Sequence, residues 1–305
     1  MNKSEFTFDG LGIAPAVRDV LARLSFDTPT PIQHQSIPLG IEGKDLIGIA
    51  QTGTGKTLAF GIPMIQRLMT DGGGLVLVPT RELALQVEES LRRVGTPLGV
   101  KTAVLIGGAP MNPQIRALRS GPHIVIATPG RLIDHMEQGT IRLSGVSVLV
   151  LDEADRMLDM GFLPQMKRIL TEIPRERQTM LFSATLSREI MQIAETHMKV
   201  PTSIEIAPQG TTAERVTQEI FIVPKQAKIA LLEKVLTDYK GSTLVFTKMK
   251  YTAKRISAHL RSVGHNAAEI HSNRSLSQRK EAPKDSSVAN IACLSRQTSL
   301  LVAST

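Results

Sequence analysis

The chain has little with which to staple, stack or anchor itself. A single cysteine, Cys293, excludes an internal disulfide framework and any multi-cysteine zinc site. Tryptophan is absent, there are two tyrosines, and aromatics make up 3% of the residues. That argues against a nucleic-acid binder built on rows of stacking rings. No apolar run approaches the ~18–20 residues that span a bilayer, and the opening MNKSEFTFDG carries no apolar stretch of a secretory signal. A cytoplasmic protein without membrane association is the expectation. The seven histidines show no H-E-x-x-H spacing and none sits beside a nucleophile, so each reads as a satisfied surface or core residue.

What is present describes an ordinary globular chain of 305 residues, 42% hydrophobic and 21% charged. At ~150 residues per domain, two domains are expected. The net charge of +8 is unevenly placed: basic and acidic residues balance through residue 205, and the whole excess lies beyond it. A basic half points to a polyanionic partner, because each neutralised phosphate releases counterions.

The chain's rhythm is a short β-branched run followed by a helical pattern. Apolar runs occur at 45–50, 75–79, 103–108, 123–129, 146–152, 179–185 and 202–206, with helical stretches such as 81–94 and 188–198 between them. Runs this apolar suit strands buried on both faces, so the fold expected is α/β with a doubly wound parallel sheet. Residues 207–216, APQGTTAERV, lack apolar periodicity and read as a linker. The rhythm then restarts, with strands expected at 217–223, 242–248 and 266–271 and helices at 225–239 and 251–264. After Glu281 it dissolves. The expected organisation is a first domain over 1–206, the linker, a partial second domain over 217–282 and an aberrant tail over 283–305.

The strongest chemical signal is Ala50-Gln51-Thr52-Gly53-Thr54-Gly55-Lys56-Thr57, between an expected strand and an expected helix. This is the setting of a phosphate-binding loop. Glycines at 53 and 55 let backbone N–H groups turn inward around a phosphate, and the helix N-terminus adds partial positive charge. Lys56 can reach the β- and γ-phosphates, and Thr57 offers a hydroxyl to Mg²⁺. Such a loop needs an acid to hold the metal. Asp152-Glu153-Ala154-Asp155 crests the apolar run VSVLVL, at the strand end where parallel sheets place their ligands. Asp152 then serves the Mg²⁺, and Glu153 orients or deprotonates the attacking water. No N-K-x-D segment is present to read guanine, so ATP is favoured over GTP.

These residues resemble the DEAD-box ATP-dependent RNA helicases over about residues 6–282. Besides AQTGTGKT and DEAD, the chain carries FDTPTPIQ (26–33) preceded by Phe8, PTRELA (79–84), Gly107-Gly108, TPGR (128–131), RMLDMGF (156–162) and SAT (183–185). The resemblance implies two RecA-like domains that couple ATP hydrolysis to RNA clamping and local unwinding. It implies that Gln33 pairs with adenine and Phe26 stacks on it. It implies that Arg81, Gly108, Thr128 and Arg131 hold single-stranded or duplex RNA by the sugar–phosphate backbone, and that Ser183 and Thr185 couple to Asp155. Two departures stand in the first domain: Ala50 replaces the first glycine of the loop, and Ser25 stands where the family usually has glycine.

In the second domain, LVFTKMK (244–250) and IHSNRSLSQR (270–279) resemble the family, with Phe246 and Arg279 matching and Ser272 and Leu276 departing. The family's later V-A-T-D-x-x-x-R-G-x-D and H-R-x-G-R-x-x-R segments, which carry its arginine fingers, do not occur in the sequence. One synonymous coding of 290–305, read from its third base, spells Y-R-V-L-V-A-T-D-I-A-S-R-G-I-D. A single-base frameshift near codon 282 is therefore the expectation. The competing expectation for function is an ATP-binding chain without turnover; a double-stranded DNA translocase is disfavoured by FDTPTPIQ together with DEAD.

Overall fold

The computed structural model describes residues 7–51, 53–70, 72–206, 219–239, 241–270 and 291–295. The chain divides into two compact units, Met1–Thr212 and Ala213–Thr305.

In the first unit, α1 (Pro15–Arg23) and α2 (Pro31–Ile41) precede β1 (Leu46–Ile49), and strands and helices then alternate. They run α3 (Lys56–Leu68), β2 (Gly73–Leu77), α4 (Arg81–Gly95), β3 (Thr102–Leu105), α5 (Met111–Arg119), β4 (Ile124–Ala127) and α6 (Pro129–Glu137). β5 (Val146–Leu151), α7 (Ala154–Asp159), α8 (Leu163–Glu172), β6 (Gln178–Ser183), α9 (Arg188–His197) and β7 (Thr202–Glu205) complete it. The seven strands form one parallel sheet in the order β3-β4-β2-β5-β6-β1-β7.

Both faces of this sheet are covered, which is why its strands read as continuous apolar runs. On one face Ile47, Leu75, Leu149 and Leu181 pack with Leu132 of α6, Met157 of α7, Ile169 of α8 and Ile190 of α9. On the other, Phe182 of β6 meets Phe60 of α3 with ring centroids 5.5 Å apart. Gly48 makes room for that ring: a Cβ there would stand 2.6 Å from it. Each such buried aliphatic or aromatic side chain contributes about 1.5–3 kcal/mol. Helix starts follow local chemistry. Thr80 accepts from the N–H of Leu83 at the head of α4, and Ser187 accepts from Ile190 at the head of α9.

The second unit holds α10 (Lys228–Asp238), β8 (Thr243–Thr247), α11 (Lys250–Ser262), β9 (Ala267–Ile270) and β10 (Ile291–Ser295). Its strands are parallel, in the order β8-β10-β9, and Leu236, Ala253, Leu260 and Ala267 form a small core. Two expectations need correction here. Residues 219–223, expected to continue a strand from 217, form none, and Ile220 and Ile222 are 91% and 97% exposed. An apolar run is a strand only when a ladder partner takes its N–H and C=O groups. Conversely, the tail in which no further strand was expected supplies the middle strand of this sheet: the backbone of Cys293 sits opposite Val245 on one side and Glu269 on the other. Five residues of I-A-C-L-S are too short a run to stand out in a tail without periodicity. The expected linker, Arg279 with its neighbours Ser272 and Leu276, and the remainder of the expected out-of-frame tail lie outside the described residues.

Candidate functional site

The sheet order sets the C-terminal ends of β1, β6 and β5 side by side, and continues them with the ends of β2, β4 and β3. Every candidate residue of the first unit that follows a strand therefore falls along one edge, where parallel sheets bind ligands.

The loop after β1 is tied down at its start, where the N–H of Ala50 donates to the carbonyl of Ser183 at 3.0 Å. The chain then turns with Gly53 and Gly55 at φ of +86° and +91°, Gly55 forming the N-cap of α3. These are left-handed conformations that glycine adopts without penalty. Thr54 steadies the turn by donating to the carbonyl of Gln51 at 2.7 Å. Lys56 is buried, and its ammonium folds back to donate to the carbonyl of Ala50 at 3.0 Å. Thr57 follows, half-buried, in the first turn of α3. Thr52 lies outside the described residues.

Asp152 leaves the end of β5 between β2 and β6 and is 3% exposed. Burial pushes its carboxyl up to about 6 against the pull of the Lys56 cation, with the Glu153 charge adding to the rise. Its Oδ1 accepts from the N–H of Glu153 at 3.0 Å. Glu153 itself sits at φ +51° and ψ +51°, a strained conformation for a residue with a Cβ. Its Oε2 pairs with the Arg156 guanidinium at 3.0 Å. Asp155 is the hub toward β6. Its N–H donates to the Ser183 hydroxyl at 3.3 Å, and its Oδ2 accepts from Ala184 and from both the N–H and the hydroxyl of Thr185.

A buried carboxyl that feels the Lys56 charge, together with the hydroxyl that follows Lys56 in α3, supplies donor types suited to a hard divalent cation bound together with phosphate. Among the described residues no three His, Cys, Asp or Glu side chains form an all-protein metal cage.

Gln33, in α2, reaches this loop, and Phe26 lies in the turn just past the end of α1. Gln33 is buried with both amide ends engaged: Oε1 accepts from the N–H of Thr30 at 2.9 Å, and Nε2 donates to the carbonyl of Gly55 at 2.9 Å. Phe26 is placed by the end of α1. Its N–H donates to the carbonyl of Leu21 while that of Ser25 donates to Ala22, with Ser25 left-handed at φ +58°. This is a Schellman ending with serine in the glycine position. The Phe26 ring is half-buried, and the Arg93 guanidinium of α4 stands 5.9 Å from its centroid.

The other half of the edge carries the expected RNA residues. Arg81 opens α4 and lies against the Gly107–Gly108 turn, where Gly108 has φ +71°; a Cβ on Gly108 would collide with the guanidinium. Arg131 of α6 donates from Nη1 to the carbonyl of Ala109 at 2.9 Å and pairs with Asp134. Thr128 is buried at the end of β4, its N–H donating to the carbonyl of Leu105 at 3.0 Å.

Four residues at this edge were not singled out as site residues by the sequence: Arg93 and Arg156, and two buried side chains behind the glycine pair, Gln114 and His135. A glutamine inside an amphipathic helix gives no sign that it faces inward. His135 is a core histidine whose pKa is lowered from its ordinary value by burial and by the nearby Arg131 charge.

The family model described as DEAD/DEAH box helicase matches residues 30–193. The chain is 41% identical over 278 residues to the DEAD-box ATP-dependent RNA helicase CshA of Geobacillus kaustophilus, covering 90% of this chain and 59% of that protein. It is 40% identical over 279 residues to the ATP-dependent rRNA helicase RRP3 of Gibberella zeae, covering 90% and 57%. The chain thus spans less than two thirds of these relatives. Among solved structures it is similar to a DEAD box protein from Methanococcus jannaschii, with a TM-score of 0.63, 32% identity and coverage of 95% of this chain and 80% of that one. It is also similar to the yeast splicing factor Prp28, with a TM-score of 0.63 and 28% identity, covering 97% and 73%.

Proposed function

Because the chain belongs to the DEAD/DEAH box helicase family, we propose that it acts as an ATP-dependent RNA helicase, clamping RNA by its sugar–phosphate backbone and separating strands locally. The observation that carries the reading is the single sheet edge that joins the phosphate-type loop and the buried acid to the Gly107–Gly108 turn with its two arginines. No helix among the described residues is long and apolar enough to cross a membrane.

In this reading Lys56 exchanges the Ala50 carbonyl for the phosphates of ATP, and the turned N–H groups around Gly53 and Gly55 share that charge. Thr57 and Asp152 would hold Mg²⁺, which would neutralise phosphate charge and help align the γ-phosphoryl group. Glu153 orients a water against the γ-phosphorus and accepts its proton, while Arg156 fixes the direction of its carboxylate. Water and ATP yield ADP and phosphate. Gln33 exchanges its contacts with Thr30 and Gly55 for the adenine edge, and Phe26 offers the ring face not covered by Arg93. Arg81, Gly108, Thr128 and Arg131 present cations, a backbone turn and a hydroxyl to the strand without reading bases. Asp155, bonded to Ser183 and Thr185, ties the nucleotide half of the edge to β6.

The test is phosphate release from ATP by the 305-residue chain, with and without single-stranded RNA, beside Lys56→Ala. RNA-stimulated release that the variant loses supports the helicase-type ATPase. Mg²⁺-dependent ATP binding without release supports the competing reading, a nucleotide-binding chain without turnover.

A further inference from the structure

The turn that carries Gly107 and Gly108 is held from behind by one side chain. Gln114 lies one turn into α5 and is 6% exposed. Its Oε1 accepts from the N–H of Ile106 at 3.0 Å. Its Nε2 shares two hydrogens among the carbonyls of Ile106 at 3.2 Å, Pro110 at 3.1 Å and Ala109 at 3.4 Å. The amide thus grips both ends of residues 106–110. Two residues of α6 complete the grip: Arg131 donates to the same Ala109 carbonyl, and His135, four residues on, places Nε2 3.4 Å from the Gln114 Oε1. The far side of that ring reaches Thr140 at 2.8 Å.

A loop built on two glycines has no stiffness of its own, since glycine loses more backbone freedom on ordering than any other residue. A binding loop that must be ordered at the moment of contact binds more weakly than one already set. We infer that Gln114 is a positioning residue that pre-sets residues 106–110 for contact with an RNA backbone, an inference that rests on the reading of Gly108 and Arg131 as RNA contacts. Gln114 touches no RNA itself. It supplies the directional bonds that the glycines lack, and it shares an acceptor with Arg131, so turn and guanidinium are set together.

The experiment compares the full chain with Gln114→Met, which keeps the shape and removes every hydrogen bond, and Gln114→Glu, which keeps the acceptor for Ile106 and loses the donors. The second variant serves where the first fails to fold. Amide hydrogen exchange across 106–110 is read alongside affinity for a fluorescein-labelled single-stranded oligouridylate and for a fluorescent ATP analogue. The expectation is exchange at Gly107–Ala109 about tenfold faster and oligouridylate affinity about tenfold weaker, one lost bond to a buried group being worth about that factor. Nucleotide affinity stays unchanged, and Gln114→Glu falls between wild type and Gln114→Met. Unchanged exchange in the loop overturns the inference, and so does faster exchange with wild-type RNA affinity. A wild-type chain that binds no oligouridylate sinks the RNA reading instead, while loop exchange still judges what Gln114 holds.

Discussion

The hydroxyl of Thr185 donates to Oδ2 of Asp155 at 3.1 Å, joining the segment after β6 to the first turn of α7. The same oxygen takes the N–H of Thr185 at 3.0 Å and that of Ala184 at 3.1 Å, so one carboxylate oxygen fixes the start of the loop that leaves β6. Bonds to an ionised acceptor are about twice as strong as neutral ones. These bonds tie residues 184–185 to the first turn of α7, the connection on which any coupling through this carboxylate depends.

Removing only that hydroxyl tests the connection. Thr185→Val keeps the side-chain shape and leaves the two backbone bonds. Because Thr185 is exposed, the loss in stability is about 1 kcal/mol or less. ATP affinity is expected to stay within about twofold, while stimulation of phosphate release by RNA falls about tenfold, a loss of ~1.4 kcal/mol in coupling. Stimulation at the wild-type level would show that the hydroxyl transmits nothing.

Asp152 makes a pH prediction with a definite sign. Its carboxyl is raised in the folded chain to about 6, above its ordinary value, chiefly by burial. Between those two values the folded state holds more protons than the unfolded one, so this group's contribution to stability is full at low pH and is lost as pH rises through about 6. Asp152→Asn removes the buried charge. In metal-free buffer it is expected to raise the thermal midpoint at pH 7.5, by an amount corresponding to about 1–3 kcal/mol, and to give much less gain at pH 4.5. An equal gain at both pH values would mean the site is not strained by ionisation.

The first unit was legible because its strands are buried on both faces: LIGI, VSVLVL and QTMLFS are short, apolar and set between helical stretches. Its motifs were legible because phosphate loops and acids at strand ends need fixed residue types at fixed spacing. Polar side chains that turn inward were not. Gln114 gives no sign of facing inward and His135 reads equally as surface or core until the packed helices enclose them, and the Arg93–Phe26 contact joins residues 67 apart in the chain. The strands of the second unit differ from the sequence expectation at both ends for one reason. Strand formation depends on an available ladder partner, which EIFIV lacks over 219–223 and IACLS finds over 291–295.

Ser25 occupies the left-handed position of the Schellman ending of α1, at φ +58°. A side chain with a Cβ is disfavoured there by about 1–2 kcal/mol, and glycine gives back part of that gain through its larger unfolded-state entropy. Ser25→Gly is expected to stabilise the chain by about 0.5–1 kcal/mol, a rise of roughly 1–3 °C in the thermal midpoint. Because Phe26 is the next residue in that turn, affinity for a fluorescent ATP analogue is expected to hold or improve. A fall in the midpoint would mean that the serine makes a contact worth more than the strain.

Gly53 and Gly55 share a left-handed backbone but not the same surroundings, and the difference can be measured. A Cβ on Gly53 meets nothing within 4 Å, so Gly53→Ala carries the conformational penalty alone, about 1–2 kcal/mol. A Cβ on Gly55 falls 2.5 Å from Nε2 of Gln33 and 2.9 Å from Oγ1 of Thr30, and Gln33 is buried and already bonded to Thr30 and Gly55. Gly55→Ala must therefore displace the glutamine as well, and is expected to cost about 1–3 kcal/mol more than Gly53→Ala. The Gln33 share of that extra cost is removable, while the Thr30 contact remains. In a Gln33→Ala background the amide is gone, and Gly55→Ala is expected to cost about 1 kcal/mol less than it does alone, a coupling between neighbours that additivity forbids. Chemical denaturation of the two single variants and the double variant reads the coupling directly. Strict additivity would mean that Gln33 yields its place freely, and that its two bonds do not shape the phosphate loop.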